Sequence, residues 1–91
     1  MYDLKELGLL AAALTIRKVP FTFKECNDGW MILGSKWDVA INSMTMGGAS
    51  GLLEILNWEK WRCNDEDAAV GFFTASECIE YLQNVGLIPR E

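Results

Sequence analysis

The chain contains no histidine. That absence removes the commonest general base at neutral pH, the histidine-activated serine and cysteine nucleophiles, and nearly all zinc sites. Basic residues are scarce as well: 8 Lys and Arg stand against 13 Asp and Glu, for a net charge of −5. Phosphate neutralisation needs a basic surface, and no run of Lys or Arg here is longer than Arg17-Lys18, so direct nucleic-acid binding is not expected. The three cysteines, Cys26, Cys63 and Cys78, are odd in number and widely spaced. This fits neither a zinc knuckle nor a disulfide framework and points to reduced thiols in a cytoplasm. Long apolar runs are missing too. Residues 7–14 are too few to span a bilayer, and they follow Asp3 and Glu6 where a signal peptide carries basic residues. The expectation is a soluble protein without metal or cofactor.

What is present suits one globular domain over residues 1–91. Apolar residues make up 51% of the chain and charged residues 23%, which rules out a disordered acidic tail. Four Trp and four Phe supply large rings to a core that is small at this length.

Residues 3–18 read as a helix. Asp3 and Glu6 have capping-box spacing, Leu4, Leu7, Ala11, Leu14 and Lys18 recur at helical intervals, and Val19-Pro20 stops the run. Residues 21–26 and 30–34 then read as strands around Asp28-Gly29, a hairpin signal because both residues tolerate positive φ. Residues 37–43 alternate, with Trp37, Val39 and Ile41 on one face, which completes a three-stranded meander. Residues 44–51 form a flexible, glycine-rich stretch, and residues 52–56 suit either a strand or a short helix. A strand over 68–73 leads into Thr74-Ala75-Ser76-Glu77, a full capping box. The helix that follows runs to about Asn84, buries Cys78, Ile79, Leu82 and Val85, and is closed by Gly86. The fold expected is α+β: an N-terminal helix, an antiparallel sheet of about four strands, and a C-terminal helix packed on one face.

Candidates for chemistry are few. Cys78 falls near a helix start, where a dipole favours a thiolate, but its spacing from Ile79 and Leu82 assigns it to the core. Asp38 and Glu54 lie in apolar segments where burial raises a pKa, yet a catalytic pair also needs a cleft. Gly47-Gly48-Ala49-Ser50-Gly51 could cradle a phosphate, but Leu52 stands where a P-loop needs Lys. Asp65-Glu66-Asp67 reads as a solvated acidic loop rather than a calcium loop. Trp58 and Trp61 are the better lead. In a helical segment they share a face, they flank Glu59-Lys60, and Trp is enriched at interface hot spots. The expected partner-binding residues are therefore Trp58, Glu59, Trp61, Asp65, Glu66 and Asp67.

Four segments occur together in order: Asp28-Gly29-Trp30, residues 37–43, Gly51-Leu52-Leu53-Glu54-Ile55, and residues 70–77. Their arrangement resembles a group of small phage and prophage proteins of Gram-positive bacteria, over roughly residues 19–85. Members of that group often carry a Cys-His pair where this chain has Ile41-Asn42, so no metal or acid–base role of such a pair carries over. The group has no established activity. What the resemblance implies is a phage setting and a cytoplasmic accessory protein acting by binding. Its partner would be a host or phage protein, with a basic surface suiting the chain's acidity. An inhibitor of a host defence system, such as an anti-CRISPR protein, is one version. The alternatives are a small-ligand or nucleotide-binding module centred on residues 47–51, and a minimal enzyme using Cys78, Asp38 or Glu54. A homodimer through an edge strand or the Trp58/Trp61 face is compatible with each.

Overall fold

The computed structural model describes residues 4–26, 29–41 and 53–90. Helix α1 spans Lys5–Ile16. Four strands follow, β1 (Thr22–Cys26), β2 (Gly29–Leu33), β3 (Trp37–Ile41) and β4 (Leu53–Asn57). The short helix α2 (Trp58–Arg62), a 3-10 turn (Glu66–Ala68), strand β5 (Ala69–Phe72) and helix α3 (Ala75–Asn84) complete the elements among the described residues. All pairings are antiparallel and the sheet order is β1-β2-β3-β4-β5, so each strand lies beside its neighbours in sequence. The α+β class is as expected, with five strands where about four were expected. The extra strand is β4, the segment that read equally as strand or helix. Leu53, Ile55 and Asn57 are buried while Glu54 and Leu56 are partly exposed, a period of two that only a strand produces.

Alternation divides the sheet into two unlike faces. Ile32, Val39, Ile41, Leu53 and Ile55 point to one face, where Trp37 also lies, and α1 and α3 cover it. The helices contribute Leu7, Leu10 and Leu14 from α1 and Ala75, Cys78, Ile79 and Leu82 from α3. Each fully buried Leu or Ile stabilises the fold by about 1.5–3 kcal/mol. Two expected stripes shift. In α1 the buried stripe is 7-10-14, with Leu4 42% exposed and Lys18 outside the helix; in α3, Val85 is 39% exposed and is not part of the stripe. Val85 is already the C-cap residue, past the last turn that faces the sheet.

The three helices end alike. After α1, Lys18 N–H donates to Thr15 O (3.0 Å) and Val19 N–H to Leu14 O (2.9 Å). After α2, Asn64 N–H donates to Trp61 O and Asp65 N–H to Lys60 O; after α3, Gly86 N–H donates to Gln83 O and Leu87 N–H to Leu82 O. Each is a Schellman motif, and each sets one residue at positive φ: Lys18 at 59°, Asn64 at 57° and Gly86 at 79°. Of the three, only Gly86 was expected as a helix stop; lysine carries no turn signal, whereas asparagine is a residue that tolerates this conformation. The stop of α1 is thus this motif, with Pro20 beyond it.

Helix starts differ more. The Thr74 capping box forms as expected, with Glu77 N–H donating to Thr74 Oγ1 and Thr74 N–H to Glu77 Oε1. The expected Asp3/Glu6 box involves Asp3, which lies outside the described residues; the N-cap of α1 is Leu4, with no side-chain cap hydrogen bond. Glu6 works elsewhere, accepting the backbone N–H of Ala75 at 2.8 Å and so capping α3 from across the helix pair. The β1–β2 hairpin forms too, but Cys26 pairs with Gly29, which places Gly29 inside β2 rather than in the connection.

Candidate docking surface on the open sheet face

The second face of the sheet carries two cross-strand rows. One row is Thr22, Leu33, Asp38, Leu56 and Ala69; the next is Lys24, Met31, Ala40, Glu54 and Gly71. Neither α1 nor α3 sends its buried residues here. The result is a mostly apolar surface with two carboxylates near its middle. Asp38 lies directly across from Leu56 and Glu54 directly across from Ala40, so the two acids are diagonal neighbours on adjacent strands. Sequence alone gave no separation for this pair; the β3–β4 register supplies it.

Burial pushes the Asp38 carboxyl above its ordinary range, and a hydrogen bond from Trp58 partly offsets this. Glu54 is raised by burial and by the nearby Asp38 charge. No Lys or Arg among the described residues is a cause acting on either group. The folded chain therefore holds the Asp38 proton more tightly than the unfolded chain does. This contribution to stability is present in acid and is lost as pH rises from the ordinary aspartate range through the raised pKa. Asp38→Asn should accordingly melt a few degrees above wild type at pH 7, with the gap closing near pH 3. Melting curves across that range test it; a variant less stable at pH 7 would show that the charged hydrogen bond to Trp58 outweighs the burial cost.

Helix α2 stands at one edge of this surface. Asn57 ends β4 on the core face, is 6% exposed, and accepts the N–H groups of Glu59 (3.1 Å) and Lys60 (3.3 Å) through Oδ1. This cap turns the strand directly into a helix. Trp58 then falls on the open side, where its indole Nε1–H donates to Asp38 Oδ2 at 2.9 Å. Trp61, one turn on, is 64% exposed. Leu56, Trp58, Trp61 and Arg62 line a groove of about 300 Å³. The expected sharing of a face by Trp58 and Trp61 is what the helix produces, and the two separate leads, the acid pair and the tryptophans, meet at the Trp58–Asp38 bond.

The other expected binding residues surround α2. Glu59 is exposed, as are Asp65, Glu66 and Asp67 in the turn packed against α2. Asp65 also has a structural task, since its Oδ1 accepts Asp67 N–H at 2.8 Å. Cys78 is fully buried between the helices, where burial and the neighbouring Glu77 and Glu6 carboxylates push its thiol up to about 12. A thiol so placed stays protonated at neutral pH and belongs to the packing. Cys63 is exposed, and both are free thiols. Residues 47–51 lie outside the described residues. Among the described residues no cluster of His, Cys, Asp or Glu could hold a metal ion, and no helix is long and apolar enough to cross a membrane.

No family model matches the chain, and no curated protein or solved structure matches it.

Proposed function

We propose that this chain is a non-enzymatic, phage-type accessory protein that works in the host cytoplasm by docking a host or phage protein on α2 and the adjoining open sheet face. The observation that carries this reading is Trp61, 64% exposed beside Trp58 and Leu56 at the mouth of the groove. An exposed tryptophan on a capped, well-defined helix contributes little to folding and much to an interface. The acidic residues around it, Glu59 and Asp65 to Asp67, favour a partner with a basic surface by steering its approach. Inhibition of a host defence system, in the manner of an anti-CRISPR protein, is one form such binding takes.

Trp61→Ala is the discriminating change. Its melting temperature should stay within a few degrees of wild type, because the ring is mostly in water. Affinity for a partner captured from the bacterial host should fall at least about 30-fold, the effect of losing a hot spot of roughly 2 kcal/mol. Calorimetric titration of the purified partner reads this directly. Undiminished affinity would move the interface away from α2.

A further inference from the structure

The groove borders charge of both signs. Leu56, one wall, sits directly across from Asp38, and Trp58, another, donates its indole N–H to the same carboxylate. The groove therefore adjoins Asp38, with Glu54 diagonal to it on the next strand. Arg62, one helical turn beyond Trp58, also lines the groove. Its other lining residues, Leu56, Trp58 and Trp61, are apolar or aromatic. A carboxylate pair set among Leu33, Leu56, Ala40 and Gly71 is partly screened from the water that would otherwise stabilise two like charges on adjacent strands. A cation arriving with the partner would relieve that repulsion, and its bond would be shielded from solvent by the same apolar neighbours.

We propose that the partner presents a segment with an apolar anchor side chain beside a lysine or arginine, the anchor entering the Trp58–Trp61 groove and the cation pairing with Asp38 and Glu54. This rests on the docking reading above and names the chemistry of its partner. Charge sets the pairing: the basic side chain goes to the two carboxylates, and Arg62 repels it from the rest of the groove lining. A second copy of this chain is a poor occupant of the face, since stacking two such faces would crowd four partly buried carboxylates together.

The test uses the purified full chain against a surface-displayed library of random linear peptides. Enriched peptides should carry Leu, Met or Phe within a few positions of Arg or Lys. Asp38→Asn combined with Glu54→Gln, which keeps shape and removes both charges, should weaken a selected peptide at least about tenfold, and wild-type affinity should fall with added salt. Trp61→Ala should abolish binding of the same peptide. Melting curves and light scattering on each variant establish that it is folded and monomeric. An enriched set without basic residues, or one whose affinity survives the double substitution while Trp61→Ala still destroys it, overturns the cation pairing and leaves docking on α2 standing. Binding that survives Trp61→Ala overturns both, and so does a stable dimer of the wild-type chain that the double substitution strengthens and that occludes the peptide.

Discussion

Gly34→Ala should lower the melting temperature by roughly 10–20 °C, the equivalent of about 2–3 kcal/mol for a domain of this size. Gly34 closes the connection from β2 to β3, donating its N–H to Trp37 O at 2.8 Å. A methyl group at this position would fall inside van der Waals contact of Cε2, Cζ2 and Nε1 of the Trp37 ring. That ring is 1% exposed and packed within the core cluster, so it has nowhere to retreat without disturbing its neighbours. Combining the change with Trp37→Leu should recover part of the loss relative to the sum of the two single variants, because the smaller side chain removes the collision. Additive losses in thermal unfolding would place the cause in the backbone of the turn instead.

Leu82→Ala should cost about 3 kcal/mol in urea unfolding, within the range for a leucine with no exposed surface and a substantial share of the 5–15 kcal/mol that holds small domains together. Leu82 is fully buried under α3, and its carbonyl accepts the N–H groups of Leu87 and Ile88 beyond the helix. The substitution leaves those backbone bonds in place and removes packing alone. Val85→Ala, three residues on, should change stability by no more than about 0.5 kcal/mol, as expected at a half-exposed position. Equal losses at the two positions would return Val85 to the buried stripe.

These two residues also show what was legible in the sequence. Leu82 was readable because helical periodicity and a capping box fix the phase of α3 from residues within a few turns. Trp37, Val39 and Ile41 were readable for the same reason at a period of two. Gly34 was not, because its requirement comes from a ring three residues away that folds back over it, and nothing in local propensity encodes that approach. The bond from the Ala75 amide to Glu6 was not legible, since it joins residues 69 apart. The candidate surface divides similarly. The shared face of Trp58 and Trp61 follows from i, i+3 spacing. The meeting of Trp58 with Asp38 spans 20 positions and depends on the β3–β4 register, which was undefined while residues 52–56 stood open between strand and helix. Those residues were ambiguous for a physical reason: Leu56 faces the open side but is partly buried there, so the apolar pattern lacks clean alternation.

The bond from Glu6 to Ala75 has a consequence for how the chain is made. A meander pairs each strand with the one synthesised just before it, so the sheet can assemble hairpin by hairpin as residues emerge. The helical layer has no such freedom. Helix α1 emerges before the sheet, yet its packing partner and the amide that Glu6 accepts both lie in α3, beyond all five strands. Until α3 has emerged, the sheet face carrying Ile32, Val39 and Ile55 is without half of its cover, and nascent copies can aggregate throughout the synthesis of the five strands.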